Sequence, residues 1–221
     1  MQRQILVIGL GQFGMALSRD LASRGCDVMA VDVSEERVQA VSGAVSAALC
    51  FDATDEVALH RIAPERRDVV ICAIGDDARD AAIIVTALLR QRGCRRIVAR
   101  ASSEILERIL NVVGAHEVVN PERSFGERYA SRLMFDSIRE EIPLGDDYVV
   151  TEMSPPPSFI GSSLAQLKLP ARFGITVLGV RRMVGDKARV AAPNPSAPLA
   201  ADDILVLASS REALRNLTRQ L

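Results

Sequence analysis

Almost as soon as it begins, the chain runs through an apolar stretch and turns at Val7-Ile8-Gly9-Leu10-Gly11-Gln12-Phe13-Gly14. Glycines at this Gly-x-Gly-x-x-Gly spacing, between a strand-like run and a helical one, restrict the fold more than any other feature. Gly9 permits a tight turn, Gly11 lets the backbone approach a phosphate, and Gly14 lets the helix lie close on the strand. The helix N-terminus then offers unpaired N–H groups and a partial positive charge to an anion. The segment predicts a nucleotide-binding strand–turn–helix.

The pattern that follows supports it. Strands are expected at Ile5–Ile8, Val28–Val31, Ala47–Phe51, Val69–Ile74, Ile97–Ala99 and Glu117–Val119. Helical periodicity lies between them, over Phe13–Arg24, Glu35–Val41, Asp55–Ile62, Arg79–Arg92 and Ser103–Val113. Near-continuous apolar strands alternating with helices indicate parallel strands covered on both faces. Six of them complete an α/β, Rossmann-like doubly wound parallel sheet. A further helix is expected over Arg123–Arg139, with apolar residues at Phe125, Tyr129, Leu133 and Ile138. That stripe either packs on its own sheet or crosses to a second subunit. The expected first domain is therefore residues 1–142. The Ile142–Asp147 segment breaks the pattern and opens a small α+β domain, residues 143–221. Its expected strands are Tyr148–Met153, Ile175–Arg182 and Asp203–Ser209, and its expected helices Ser162–Leu167 and Arg211–Leu221.

Three further positions point into the same crevice. Asp32 ends the second strand eighteen residues after Gly14. A carboxylate there accepts hydrogen bonds from ribose hydroxyls and repels a 2′-phosphate, which disfavours NADP. Asp52–Thr54 follows strand three and Ala73–Gly75 ends strand four, both at the carboxyl edge where such sheets bind ligands.

Catalytic apparatus is not apparent. His60 and His116 are the only histidines, and neither accompanies a nucleophile or paired carboxylates. Cys26, Cys50, Cys72 and Cys94 form no C-x-x-C pair, and each falls in or beside an apolar run, as a buried small hydrophobe would. A net charge of −1 without a basic stripe argues against a nucleic-acid partner. With no apolar run of about 18 residues and no leader before the first strand, a soluble cytoplasmic protein is expected. A complete nucleotide site without catalytic groups reads as a sensor. A small NAD-dependent oxidoreductase and a freestanding nucleotide or redox sensor are the alternatives.

In order along the chain, "VIGLGQFG", "VDVSEERV", "FDATDEVAL", "VVICAIGDD", "IVARA", "VGAHEVVNPERSFGERYA", "IGSSLAQLKLPARFGITVLGVRR" and "ADDILVLASSREALRNL" resemble the RCK (TrkA-N plus TrkA-C) proteins of bacterial Ktr and Trk potassium uptake systems. The resemblance implies a homo-oligomer, a dimer assembling into a ring. It also implies attachment to the inner face of the membrane through a potassium-transporting subunit, and an adenine nucleotide (ATP, ADP, NAD or NADH) as a gating ligand. The contacts it implies are Gly9, Gly11, Gln12, Phe13, Gly14, Asp32, Asp52, Thr54, Ala73, Gly75 and Arg100. Glu122 matches an acidic position associated with a cation near the terminal phosphate. Gln12 stands where Ktr-type members often carry arginine, so a charge-assisted contact to that phosphate is lost.

Overall fold

The computed structural model describes residues 2–184 and 187–219. The chain forms two compact units, one ending at Arg123 and the other beginning at Ser124.

In the first unit the strands are β1 (Gln4–Ile8), β2 (Asp27–Asp32), β3 (Ala47–Cys50), β4 (Val69–Cys72), β5 (Ile97–Arg100) and β6 (Glu117–Val119). They form one parallel sheet in the order β3-β2-β1-β4-β5-β6. Chain order reverses between β1 and β4, which opens a crevice at the carboxyl ends of the strands. The helices between them are α1 (Gln12–Ser23), α2 (Glu35–Ser42), α3 (Glu56–Arg61), α4 (Arg79–Gln91) and α5 (Glu104–Val113). Side chains of β1 alternate between two cores. Leu6 and Ile8 pack with Leu59, Val85, Leu89 and Leu110 from α3, α4 and α5. Ile5 and Val7 pack with Leu17 and Leu21 of α1. Burial on both faces is why these strands carry almost no polar residues.

Side-chain caps set the helix starts. Ser34 Oγ accepts from the Arg37 amide, Asp55 from Val57 and Ala58, and Ser103 from Leu106. Each cap satisfies amides that the first turn leaves without a helical partner. Cys72 and Cys94 are buried, and burial pushes both thiols up to about 11. Cys50 departs from expectation. It is exposed at the end of β3, where its Sγ donates to the Val33 carbonyl, because that strand borders the sheet on one side only.

Helix α6 (Pro121–Met134) follows β6, and none of its residues is buried. It stops five residues short of the expected Arg139. Residues Ile138–Pro143 instead form strand β7, and Ile138 is 3% exposed and pairs with Met153. A strand of the second unit therefore begins before the boundary expected at residue 143. Beyond it come β8 (Tyr148–Met153), α7 (Leu164–Leu167), α8 (Leu169–Phe173), β9 (Thr176–Val184), β10 (Lys187–Ala191), β11 (Ile204–Ser210) and α9 (Arg211–Arg219). The last two residues of the expected terminal helix lie outside the described residues. The second sheet is antiparallel, in the order β10-β9-β11-β8-β7. Its inner face packs Met153, Val180, Leu205 and Leu207 against Phe159, Leu167, Leu169 and Leu217. Among the described residues no helix is long and apolar enough to cross a membrane.

Candidate functional site

The crevice at the reversal point is a cleft of about 540 Å³, within the first unit. That size suits a small-molecule ligand. Its floor is the glycine-rich turn, and each glycine answers a separate constraint. Gly9 sits at φ +96°, and a methyl there would lie 2.8 Å from the Ile74 nitrogen. At Gly14 a methyl would run into the Gly9 carbonyl oxygen. Gly11 has extended backbone and open space where a Cβ would stand, so the main chain is exposed to whatever occupies the cleft. Gly11 also caps α1 without a side-chain acceptor, which leaves the first-turn amides of Gln12 and Phe13 free of such a cap.

Asp32 closes the turn from the side. Its Oδ2 accepts from the Leu10 amide at 2.5 Å and its Oδ1 from the Ser34 amide at 2.8 Å. It is 6% exposed and still lines the cleft, and each carboxylate oxygen retains a lone pair. Arg37 approaches Asp32 Oδ2 at 3.7 Å and lines the same end.

Asp52 lines the cleft, but Thr54 does not. Thr54 instead donates to Asp52 Oδ1 through both its amide (2.9 Å) and its hydroxyl (2.7 Å). Those two bonds, the amide's first, hold the Asp52 carboxyl below the usual carboxylate range. The helix cap at this turn is Asp55, which frees Asp52 for the cleft.

On the far side Arg100 ends β5 beside Gly75, and its guanidinium donates to Glu122 Oε1 at 2.5 Å. Arg100 is largely buried, and its Nε has no hydrogen-bond partner. Glu122 is thus paired with a cation, and among the described residues no group of three or more His, Cys, Asp or Glu is placed to hold a metal.

The structure thus gathers Gly9, Gly11, Gln12, Phe13, Asp32, Asp52, Ala73, Gly75, Arg100 and Glu122 around one cleft. Gly14 and Thr54 stand behind it, one packing the helix onto the turn and the other orienting Asp52. Sequence reasoning missed Arg37 and the apolar Val33, Ala81 and Val85, which also line it. Arg37 lies in the first turn of α2 with no motif to mark it. The described lining residues include no histidine, lysine, tyrosine or cysteine. His116 lies elsewhere, accepting from the Ile97 amide and meeting Arg90.

Known proteins match both units. Residues 5–121 match the TrkA-N domain and residues 148–221 the TrkA-C domain. Ktr system potassium uptake protein A of Vibrio alginolyticus is 32% identical over 219 residues, covering 99% of this chain and 98% of the relative. Ktr system potassium uptake protein C of Bacillus subtilis is 29% identical, covering 95% and 93%. Among solved structures, the GsuK channel bound to NAD superposes with a TM-score of 0.64 at 18% identity, over 97% of this chain but 38% of that one. That likeness is one of fold, and the present chain spans well under half of the channel polypeptide. A parallel sheet with a glycine-lined crevice, followed by an antiparallel unit, fits the full-length match to the Ktr relatives: the chain belongs to the TrkA-N/TrkA-C family of the Ktr potassium uptake proteins.

Proposed function

We propose that this protein is the cytoplasmic nucleotide-reading subunit of a potassium uptake system, attached to the inner face of the membrane through the transporting subunit. The observation that carries this reading is the pairing of a glycine-floored cleft with a full-length likeness to potassium uptake proteins. The ligand is an adenine nucleotide. Its ribose hydroxyls meet Asp32, and its phosphates meet the Gly11–Phe13 amides at the start of α1.

The protein acts as a sensor and not as an enzyme. Hydride transfer to a carbonyl or from an alcohol is usually assisted by a proton donor or acceptor at hydrogen-bond reach. The side chains that most often serve, histidine, lysine and tyrosine, are missing from the described lining of the cleft. What the cleft offers instead is differential affinity, the only means by which a ligand moves a conformational equilibrium. Taking a two-state equilibrium from 1:99 to 99:1 needs about 5.5 kcal/mol, a sum that a homo-oligomer divides among its sites.

The test is potassium flux through the complex reconstituted with its transporting subunit, with ATP, ADP, NAD and NADH supplied in turn. Flux that differs between saturating nucleotides supports the reading. Identical flux with all four would make the nucleotide a structural component. Turnover of NADH with a small substrate would favour an oxidoreductase.

A further inference from the structure

The second unit carries a cleft of its own, of about 360 Å³, bordered by α6, β7 and the start of α9. That volume lies within the range of small-molecule sites. Helix α6 contributes Ser124, Glu127 and Arg128, which share one helix face at i, i+3 and i+4. Strand β7 contributes Glu141, with Ile142 and Pro143 as an apolar wall, and α9 contributes Arg211. The aromatic pair Phe125 and Tyr129 lies on another face of α6, outside this lining.

Glu141 is the group that a solvated surface does not explain. Its side chain is 7% exposed, and its Oε1 accepts from Arg211 Nη1 at 2.7 Å. Its Oε2 has no donor among the described residues and is not sealed in the core, so it opens on the cleft. A largely buried carboxylate oxygen is stabilised by a donor, above all a charged one. On the α6 side, neither Glu127 nor Arg128 has an ion-pair partner among the described residues. The four charges of the lining cancel. Glu127 and Glu141 oppose a simple anion, and Arg128 and Arg211 oppose a simple cation. A molecule that carries both charges meets neither objection.

We propose that this cleft is a second ligand site, which takes a small zwitterion of the α-amino-acid class. The ligand's ammonium donates to Glu141 Oε2, and its carboxylate accepts from the Arg128 guanidinium, whose forked donors suit a carboxylate. The Glu141–Arg211 pair stays intact, because the ammonium uses the oxygen that Arg211 leaves free. Ile142 and Pro143 favour a short apolar side chain. An ammonium with N–H donors is required, so a fully methylated one is a poor substitute. The site lies wholly within the second unit and does not depend on what occupies the glycine-floored crevice.

The experiment is calorimetric titration and thermal shift of the full-length protein with L-alanine, L-valine, glycine betaine, acetate and methylammonium, each to millimolar concentration. The expected result is saturable binding of alanine or valine, with betaine, acetate and methylammonium at least tenfold weaker. Arg128→Gln should weaken the amino acid by about tenfold, equivalent to about 1.4 kcal/mol. Arg128 is exposed and unpaired, so the ligand-free melting temperature of that variant should stay at the wild-type value. Glu141→Gln should also weaken binding, and it keeps an amide oxygen for Arg211. Absence of binding by both amino acids would overturn the proposal. So would acetate or methylammonium binding as tightly as they do, or an Arg128→Gln protein that binds them like the wild type.

Discussion

The Leu10 amide donates to Asp32 Oδ2 at 2.5 Å, so the carboxylate proposed to receive a ribose also holds the glycine-rich turn in shape. The Ser34 amide uses its other oxygen. Asp32→Ala is therefore expected to do two things. It should weaken nucleotide binding by about tenfold, or about 1.4 kcal/mol. It should also destabilise the empty protein, since each buried donor left unpaired costs about 1–3 kcal/mol. At about 2–4 °C per kcal/mol for a chain of this size, the melting temperature falls measurably without any ligand. A ligand-free melting temperature equal to wild type would show that the carboxylate does not brace the turn.

The glycines of the turn should separate into two classes. Gly11→Val keeps the fold, because its backbone is extended and nothing stands near the new side chain, but it fills the space a phosphate would use. Gly14→Ala should damage the fold itself, because the methyl collides with the Gly9 carbonyl oxygen that the close helix–strand contact brings there. Circular dichroism and thermal shift with and without nucleotide distinguish them. The expected pattern is a folded Gly11→Val that nucleotide no longer stabilises and a Gly14→Ala with a lowered melting temperature. A Gly11→Val protein still stabilised by nucleotide would move the phosphates elsewhere.

These two cases also show where the sequence was legible. The strands of the first unit stood out because the inner ones, β1, β2 and β4, are largely buried on both faces and so almost wholly apolar, and the short bordering strands β3 and β6 continue the same alternation with helices. The glycine spacing fixed the turn because each glycine answers a steric demand. The second sheet was harder to read. Strand β7 carries Arg139, Glu140, Glu141 and Pro143, and its polar residues obscure the pairing of Ile138 and Ile142 with β8. Strand β10 is exposed along its whole length at the border of the sheet, so nothing forces alternation on it. In the cleft, the residues of motifs were found in advance. Arg37 was not, because its position depends on where the first turn of α2 points.

A pH dependence follows from the second unit. Arg182 donates to Asp203 through Nε at 2.6 Å and a terminal nitrogen at 2.7 Å, and the Ala200 amide donates at 2.9 Å. The Arg182 bonds hold the buried Asp203 carboxyl below its ordinary 3.8, and the amide adds to the effect. A carboxyl depressed in the folded state contributes stability above its unfolded value and loses it as pH falls through the folded one. Acid should therefore weaken this unit progressively below about pH 4. Asp203→Asn should destabilise at neutral pH by about 1.5–3 kcal/mol, the range for hydrogen bonds to a charged group. It should also flatten the acid limb. Melting curves between neutral and acid pH measure both effects. An unchanged acid limb in Asp203→Asn would assign the loss to other carboxylates.

The last prediction concerns assembly. Along α6, Phe125 is 58% exposed and stacks on Tyr129 with ring centroids 5.5 Å apart, and Leu133 and Met134 continue the apolar surface. Arg132 lies over the Tyr129 ring at 5.4 Å, which orders the aromatic pair. The sequence allowed this stripe either to pack on its own sheet or to reach a second subunit. None of its residues is buried. Helix α5 displays a second apolar row, Ile105, Ile109 and Val112, at helical spacing. Exposed apolar faces of this kind mark interaction sites. A closed ring of dimers requires two interfaces, one within each dimer and one between dimers. Phe125→Glu with Tyr129→Glu should reduce the mass measured by light scattering. Ile105→Glu with Val112→Glu should stop assembly at an intermediate species. If both double variants keep the wild-type mass, neither helix is an interface, and a wild type that is monomeric at micromolar concentration would refute the ring altogether.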